Sequence, residues 1–316
     1  MSSSPSLEDS VLNAQRLLSP DTLKILNQRS HRAGMLHLAG HLGVMGISGA
    51  LWLTQMGNHW AIALPALLVY GTTLATMFAP LHECVHRTAF ASDRLNAAVA
   101  WFAGLLSFYN STFYRRYHKW HHRYTQIPGK DPELDDPKPQ TWGTYLRELS
   151  GLPWWMGKLR GHFRAATGQL EDCPFLSDAA RAEVVRSTRW QLAIYAGAIA
   201  LSLLAGFPWF LWGWGVPLSV GQPVLRFILL AEHGGCSEDS NPLTNTRTTL
   251  TLAPLRFLMW NMPFHTEHHL YPSIPFHALP AAHQELRPYL AHLDAGYIQV
   301  NRQLVAQFGT SFGPST

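Results

Sequence analysis

Three closely spaced histidines in the C-terminal part of this chain have the residue type and spacing of a metal site. In His265-Thr-Glu-His268-His269 the imidazoles occupy positions i, i+3 and i+4, which share one face of an α-helix. Imidazole is the commonest side-chain metal ligand, and three converging rings would form most of a ligand set. A histidine-rich surface helix would show the same spacing, so this segment alone leaves both interpretations open.

The same kind of spacing recurs twice earlier in the chain. A second segment repeats the HxxHH pattern, a third carries an HxxxH pair, and one further histidine stands between a glutamate and two glycines. The nine predicted metal ligands, which are also the predicted catalytic residues, are His82, His86, His118, His121, His122, His233, His265, His268 and His269. Two HxxHH boxes downstream of an HxxxH pair are hard to obtain by chance, so the sequence predicts an imidazole-rich transition-metal site.

The number of nitrogen ligands indicates which metal fits. Cys84, Cys173 and Cys236 show no paired spacing, which excludes a four-thiolate iron–sulfur cluster and a CxxC redox motif. Zinc sites use three or four protein ligands, so nine histidines exceed what one ion needs. Two ions with four or five imidazoles each, and open positions for oxygen, match a di-iron centre better than a zinc site. Such a centre would differ from the carboxylate-rich sites of soluble di-iron bundles.

Several polar residues near the boxes are candidates for supporting roles. Carboxylates would orient the ligand rings by accepting their second N–H, or would be solvated charges. The candidates are Glu83, Asp131, Glu232 and Glu267. Asn261 could hold a metal-bound water, although a helix cap is favoured at its position. His233 is the least secure ligand, since glycines after a histidine are typical of a helix end. Eight ligands would divide evenly between two ions, and His233 would make one ion five-coordinate.

The elements that must position these residues include membrane helices. Only 14% of the chain is charged, against about 25% for soluble domains. Residues 33–82 and 190–225, which are 50 and 36 residues long, contain no Asp, Glu, Lys or Arg. Because about 20 apolar residues cross a bilayer, each run can hold two crossings. The sequence predicts an all-α integral membrane protein with four transmembrane helices in two hairpins, which turn at 57–60 and near 206–209.

The distribution of basic residues predicts the orientation. Four Lys and Arg residues precede residue 33, fifteen lie between 87 and 189, and five follow residue 225. By the positive-inside rule both termini and the central loop are cytoplasmic, and all nine histidines then belong to a cytoplasmic helical cap. The uncharged segment 95–114 is predicted to be re-entrant or interfacial, since a single crossing would place His86 and His118 in opposite compartments.

The predicted organisation is one membrane-embedded unit with short ends. Residues 1–32 form a cytoplasmic N-terminal segment, 33–290 the membrane domain, and 291–316 a C-terminal tail. Residues 1–30 lack the features of a secretory signal. No Gly-rich dinucleotide fingerprint is present, no appended haem domain is recognisable, and no feature indicates a nucleic-acid partner. Electrons for a redox reaction would therefore come from another protein.

The order and spacing of the boxes resemble a known family. His82-x3-His86, His118-x2-His121-His122 and His265-x2-His268-His269 are similar to the three histidine boxes of the membrane fatty acid desaturase superfamily, and the resemblance covers roughly residues 35–290. It implies a four-crossing helical fold, a non-haem di-iron centre at the cytoplasmic face, and oxygen-dependent attack on an unactivated C–H bond. It also implies that the eight box histidines bind iron and that His233 is the additional ligand between the second and third boxes.

Longer strings around the boxes resemble a bacterial branch of that superfamily. They are 118–126, Lys130-Asp-Pro-Glu-Leu134 and Asn245-Thr-Arg-Thr-Thr249. The branch includes dihydrorhizobitoxine desaturase-like enzymes and a fatty acid decarboxylase that makes terminal alkenes. The resemblance implies a bacterial inner-membrane enzyme with two iron ions, molecular oxygen as co-substrate, a fatty acid or acyl-lipid substrate, and a separate electron carrier such as ferredoxin with its reductase. Desaturation is the expected outcome, while oxidative decarboxylation and hydroxylation begin with the same hydrogen abstraction and stay open.

Two functions of other classes are weighed against the enzyme. A membrane haem protein would use axial histidines inside the crossings, where His37 and His41 could share one helix face. A metal transporter would need ionisable residues within its spans, and apart from this pair the predicted spans are nearly free of them. The boxes lie outside the spans, which favours the enzyme.

Overall fold

The chain is mostly helical in a computed structural model, which describes residues 16–308. The α-helices are α1 Pro20–Leu26, α2 His31–Gln55, α3 Trp60–Ala75, α4 Phe78–Val85, α5 Asp93–Ser107, α6 Ser111–Tyr124, α7 Trp142–Leu149, α8 Leu152–Thr167, α9 Asp178–Leu204, α10 Val216–His233, α11 Pro242–Asn245, α12 Ala253–Leu258, α13 His265–Leu270, α14 Leu279–Leu286 and α15 Tyr297–Ala306. Two-residue strands β1 (Thr248–Thr249) and β2 (Leu293–Asp294) pair in parallel. The all-α prediction is therefore correct apart from this short ladder.

Three helical segments of the described residues are long and apolar enough to cross a bilayer. They are His31–Gln55, Trp60–Val85 and Leu211–His233, with 25, 26 and 23 residues. The third begins with a π-helical turn, Leu211–Gly215, that continues into α10. These segments indicate an association with the membrane.

The fourth predicted crossing corresponds to the C-terminal half of α9. This helix has 27 residues and its N-terminal half carries several charged side chains. Leu203 and Leu204 near its end are 75% and 84% exposed, as lipid-facing side chains would be. Four crossings, their pairing in hairpins and a cytoplasmic cap remain predictions.

Helices α3 and α10 pack against each other with their backbones in contact. A Cβ atom at Gly71 would lie 2.3 Å from the carbonyl oxygen of Pro217, and one at Gly221 would lie 1.9 Å from the carbonyl oxygen of Gly71. Only glycine permits so close an approach at both positions, as in other membrane helix pairs. The contact fixes α3, which leads into α4 and its histidine pair, relative to α10, which ends at His233.

The segment between the first two boxes brings its two ends close together. The rings of His86 and His118 lie 4.8 Å apart, at the two ends of a stretch that includes α5 and the start of α6. The ends of this stretch therefore meet at one site, and its re-entrant or interfacial position in the membrane stays a prediction. Asn110 caps α6 by accepting a hydrogen bond from Phe113 N at 2.9 Å, and its amide donates to Gln191 Oε1 of α9 at 3.2 Å.

Candidate metal centre

Four parts of the fold bring all nine predicted histidines together. Helix α4 and the residue after it supply the HxxxH pair, α6 and α13 each supply an HxxHH box, and α10 supplies its last residue. Their ring nitrogens form two adjoining groups. In the first group each residue has one nitrogen within 4.8 Å of the others, and its members are His82, His86, His118, His122 and His268.

The second group contains the remaining four rings. His121, His233 and His269 also have nitrogens within 4.8 Å of one another. His265 lies against this group, since its Nε2 is 3.2 Å from His233 Nε2 and 3.1 Å from His269 Nε2. A carboxylate oxygen of Glu232 lies 3.6 Å from His265 Nε2, and the other oxygen of Glu232 is buried without a hydrogen-bond partner among the described residues.

The nitrogens in both groups are spaced as ligands of a metal ion would be. His118 Nε2 is 3.0 Å from His122 Nε2, which is 3.1 Å from His268 Nε2. Two nitrogens bound to one ion at about 2.1 Å and at right angles are about 3.0 Å apart. In addition, His82 Nε2 and His86 Nε2 are buried and have no hydrogen-bond partner in the part of the chain that the structure describes. Since buried polar atoms are rarely left unpaired, these groups fit bound metal ions.

The protonation of several rings leaves one nitrogen free for a metal. His121 Nδ1 donates to Asp131 Oδ1 at 2.9 Å, and His233 Nδ1 donates to the carbonyl oxygen of Asn245 at 3.0 Å. Thr125 Oγ1 donates to the carbonyl of His121, so its lone pair accepts from His269 Nδ1 at 3.2 Å. In a neutral ring with a protonated Nδ1, Nε2 carries a lone pair. Three second-group histidines are therefore oriented as Nε2 ligands.

Burial keeps most of the rings neutral. Burial, and next the neighbouring imidazole of His121, lower the pKa of His86 to about 3. For the same two reasons the pKa lies well below the ordinary value for His118, His122, His265, His268 and His269. Since a metal binds the neutral ring, these residues need not release a proton first.

His121 has the opposite shift. Burial acts to lower its pKa, but the charges of Glu133 and Asp131 outweigh burial and raise it. Asp131 also accepts from Gln126 N at 2.7 Å, and its pKa is lowered by these hydrogen bonds and by His121, although burial opposes the shift. Asp131 therefore stays ionised beside His121 and holds that ring in one orientation.

The four carboxylates predicted to orient ligand rings have different outcomes. Asp131 makes the expected hydrogen bond to a candidate ligand, and Glu232 lies next to His265 without a hydrogen bond. Glu267 instead pairs with His283 and accepts from Thr248, and Glu83 accepts from Phe276 N at 3.0 Å. The prediction is therefore wrong for Glu267 and Glu83, whose partners come from other parts of the fold.

Asn261 does not cap the helix of the third box. The N-cap of α13 is Phe264, which makes no side-chain capping bond. Asn261 has a left-handed φ of 58°, and its amide donates to the carbonyl of Phe276 at 2.9 Å. The capping prediction is wrong because a tight turn separates Asn261 from α13.

Sequence reasoning missed two residues that orient ligand rings. Thr125 accepts a hydrogen bond from the distant ring of His269, and the Asn245 carbonyl accepts one from the ring of His233. Thr125 also follows His121 by one helical turn and donates to its carbonyl. Asn245 Nδ2 also donates to the Thr125 carbonyl at 3.2 Å, which joins the two supports. No local spacing rule identifies contacts that only the tertiary fold creates.

The two histidines considered as haem ligands are engaged elsewhere. His37 Nε2 donates to the carbonyl of Phe257 at 2.7 Å, and His41 Nε2 donates to the carbonyl of Thr73 at 2.9 Å. His41 Nδ1 accepts from the Trp260 indole at 3.4 Å. Since carbonyl oxygens only accept, both Nε2 atoms are protonated and neither serves as an axial ligand.

We expect Asp131→Ala to weaken iron binding or lower turnover about 10- to 100-fold, the usual effect of losing a residue that orients a ligand. His121 would lose the acceptor that fixes its Nδ1 proton. Asp131→Asn keeps an oxygen acceptor, and we expect it to recover most of the iron bound. Iron per chain, measured after dialysis at fixed free iron, tests both variants against the exposed loop change Asp135→Ala. Iron loading equal to the parent in Asp131→Ala would rule out the orienting role.

Comparisons with known proteins give the family context. The family model for fatty acid desaturase matches residues 58–301. The chain is 27% identical over 246 residues to the sn-1 oleoyl-lipid 12-desaturase of Picosynechococcus sp., covering 74% of this chain and 58% of that protein. It is 27% identical over 282 residues to the sphingolipid delta(4)-desaturase/C4-monooxygenase DES2 of Bos taurus, covering 84% and 78%. It is 26% identical over 251 residues to the delta(5) fatty acid desaturase fat-4 of Caenorhabditis elegans, covering 68% and 55%. The chain thus spans less than two thirds of the first and third of these relatives.

Proposed function

The chain belongs to the fatty acid desaturase family, and we propose that it is a membrane-bound, non-haem di-iron oxidoreductase that introduces a double bond into a fatty acyl chain. The observation that carries the proposal is the gathering of nine histidines into two adjoining groups whose nitrogens have metal-ligand spacing. We propose all nine as ligands, with five for one ion and four for the other. Neutral nitrogen ligands suit iron in an oxidising reaction, in which cysteine would itself be oxidised.

Iron held by these histidines would supply the activation of molecular oxygen. In the overall reaction two neighbouring methylenes each lose one hydrogen and form a double bond. The substrate supplies two electrons and two protons, an external donor supplies two more electrons, the solvent supplies two more protons, and one O₂ becomes two waters. The electron donor is proposed to be a separate carrier such as ferredoxin with its reductase.

The protein's own residues hold the centre rigid and dry. Asp131, Thr125 and the Asn245 carbonyl fix the orientation of three rings. Beside His82 and His268 of the first group, apolar side chains that include Met259, Met262 and Leu279 line a narrow crevice. An acyl chain that widened this crevice would bring its methylenes to the first group while water stayed excluded.

We also propose the bacterial inner membrane as the location, with both termini and the centre on the cytoplasmic side. The support is the distribution of basic residues, fifteen of which lie between residues 87 and 189. The similarity of the box segments to the bacterial branch supports the same placement.

Hydroxylation is a second candidate outcome. A relative's name joins a delta(4)-desaturase to a C4-monooxygenase, so in that protein the two activities occur together. Oxidative decarboxylation to a terminal alkene, proposed from the resemblance to the bacterial branch, would also begin with hydrogen removal. The three outcomes differ only after the first C–H bond is broken.

The test is product analysis with the purified full chain in lipid. We expect close to two irons per chain and, with deuterium-labelled fatty acids or acyl lipids, reductant and oxygen, a product that has lost two hydrogens. A product with one added oxygen would establish hydroxylation, and loss of the carboxyl group would establish decarboxylation. Reactions without oxygen are the control. Protein that binds no iron and gives no oxygen-dependent product from any of these lipids would refute the proposal.

A further inference from the structure

Two cations approach one tyrosine near the histidine groups. Lys158 Nζ of α8 lies 3.4 Å from the centroid of the Tyr109 ring, and Arg226 Nη2 of α10 donates to the Tyr109 hydroxyl at 3.4 Å. The Trp154 indole also donates to this hydroxyl, at 3.0 Å. The lysine therefore covers the ring face while the arginine lies at its polar end, and both charges lie near one aromatic side chain.

Neither cation is in ion-pair contact with a carboxylate of the described residues, although Glu133 interacts electrostatically with both, Asp136 with Lys158 and Glu232 with Arg226. Within residues 16–308, no ion pair involves Lys158 or Arg226, and Arg226 Nε is buried without a hydrogen-bond partner. Burial, and next the charge of Arg226, lower the pKa of Lys158 to about 7. Charges that have lost water and have no ion-pair contact are costly, so two such cations at one tyrosine indicate that an anion binds beside them.

Two other basic residues of the central loop, Arg123 and Lys130, also approach one tyrosine, Tyr124, but both are exposed. Arg116 pairs with Glu183, and Arg164 pairs with Asp172 at 2.5 Å. Arg160, on the same helix as Lys158, is exposed. The positive-inside rule accounts for basic residues in water on one side of a membrane, but not for a half-buried, unpaired pair next to an aromatic ring.

We propose that Lys158 and Arg226 bind the carboxylate of a free, unesterified fatty acid, an inference that rests on the proposed function. A carboxylate has two oxygens and can accept charge-assisted hydrogen bonds from both cations at once. An ester head group would leave both cations unpaired.

The location of the pair suits the head group of a substrate. The Tyr109 ring lies 4.9 Å from Phe78 and 5.6 Å from Tyr114, and the Tyr114 ring stacks on His118 at 5.1 Å. Two aromatic rings therefore separate Lys158 from a candidate ligand of the first group. An acid bound there would run along these rings and place the carboxyl-side part of its chain, rather than its methyl end, at the histidines.

The test compares binding of labelled palmitic acid and its methyl ester to the iron-loaded full chain in lipid nanodiscs. We expect the parent to bind the acid at least about tenfold more tightly, the usual effect of a charge-assisted hydrogen bond. Lys158→Gln and Arg226→Gln are each expected to weaken acid binding about tenfold and to leave ester binding unchanged. Lys158→Arg keeps the charge and should retain the preference, and Arg160→Gln is the matched control on the same helix.

Several results would overturn the assignment. Equal affinity of the parent protein for the acid and the ester would overturn it. Tighter binding of palmitoyl coenzyme A or phosphatidic acid than of palmitic acid would overturn it as well. Persistence of the acid preference in the doubly substituted, iron-loaded protein would also contradict it. Oxygen-dependent products from acyl lipids without an acid preference would refute only the carboxylate site. Selective acid binding by a protein that has no iron and no turnover would refute only the proposed function.

Discussion

Replacing His268 by alanine is expected to lower iron from close to two ions per chain towards one and to reduce turnover at least about 100-fold. Loss of a residue that merely orients a ligand costs 10- to 100-fold, so loss of the ligand itself should cost more. His268 lies in the five-membered group, with its Nε2 3.1 Å from His122 Nε2 and its ring 4.6 Å from those of His82 and His86. The remaining four imidazoles would leave one ligand position of this group open, so the ion should be held less tightly than by five.

The same substitution should lower the stability of the iron-loaded protein but not that of the metal-free protein. Without metal, His268 packs against His82 and His86, whose buried Nε2 atoms have no hydrogen-bond partner in the described part of the chain, and this crowding of unpaired nitrogens destabilises the folded state. With metal, those nitrogens are bonded and the ion stabilises the folded state by mass action. We therefore expect His268→Ala to raise or preserve the melting temperature of the chelator-treated protein and to lower that of the iron-loaded protein.

The measurements are iron per chain, turnover, and melting temperature with and without chelator. His59→Ala makes the same chemical change at an exposed histidine between α2 and α3 and should leave all three unchanged. His121→Ala removes a ligand of the second group instead and is expected to lose iron and turnover in the same way. Full turnover in either box variant would exclude that residue as a ligand. A melting temperature that falls equally with and without iron would point to a packing role.

The sequence predicted which histidines gather, but not how they divide. Positions i and i+4 of a helix lie about 40° apart, while i+3 lies about 100° from i+4 on the other side of i. In α6, His118 and His122 therefore belong to one group and His121 to the other. In α13 the division is reversed, since His268 at i+3 joins the first group while His265 and His269 lie in the second. Each HxxHH box thus contributes to both groups rather than to one common point.

The parts that sequence did not predict depend on contacts between distant segments. Glu267 lies within a box, yet it pairs with His283 of α14 because the chain folds back after α13. Thr125 and Asn245 orient rings only because α6 and α11 meet. The fourth crossing is uncertain from sequence for a different reason, since α9 combines a charged first half with an apolar second half and continues through both.

His233 belongs to neither box, and its place in the centre differs from the expected one. The sequence predicted that the eight box histidines divide four and four, with His233 as a fifth ligand of one ion. The structure divides the box histidines five and three. The five-membered group forms without His233, which lies in the other group with His121 and His269. Without it, the second group would have three imidazoles. His233 therefore brings the smaller group to four nitrogens, and its loss should affect that ion most.

We expect His233→Ala to stay folded in the membrane and to lower iron occupancy and turnover at least tenfold. A structural role would also be disturbed by this change, because His233 Nδ1 donates to the Asn245 carbonyl. The variant His233→Asn separates the two roles, since its amide N–H can replace that donor while it has no nitrogen in the position of Nε2. If His233 is a ligand, the asparagine variant should restore the melting temperature of the metal-free protein but not iron binding. Recovery of iron and turnover in His233→Asn would instead show that the residue positions the Asn245 loop and that eight histidines bind the metal.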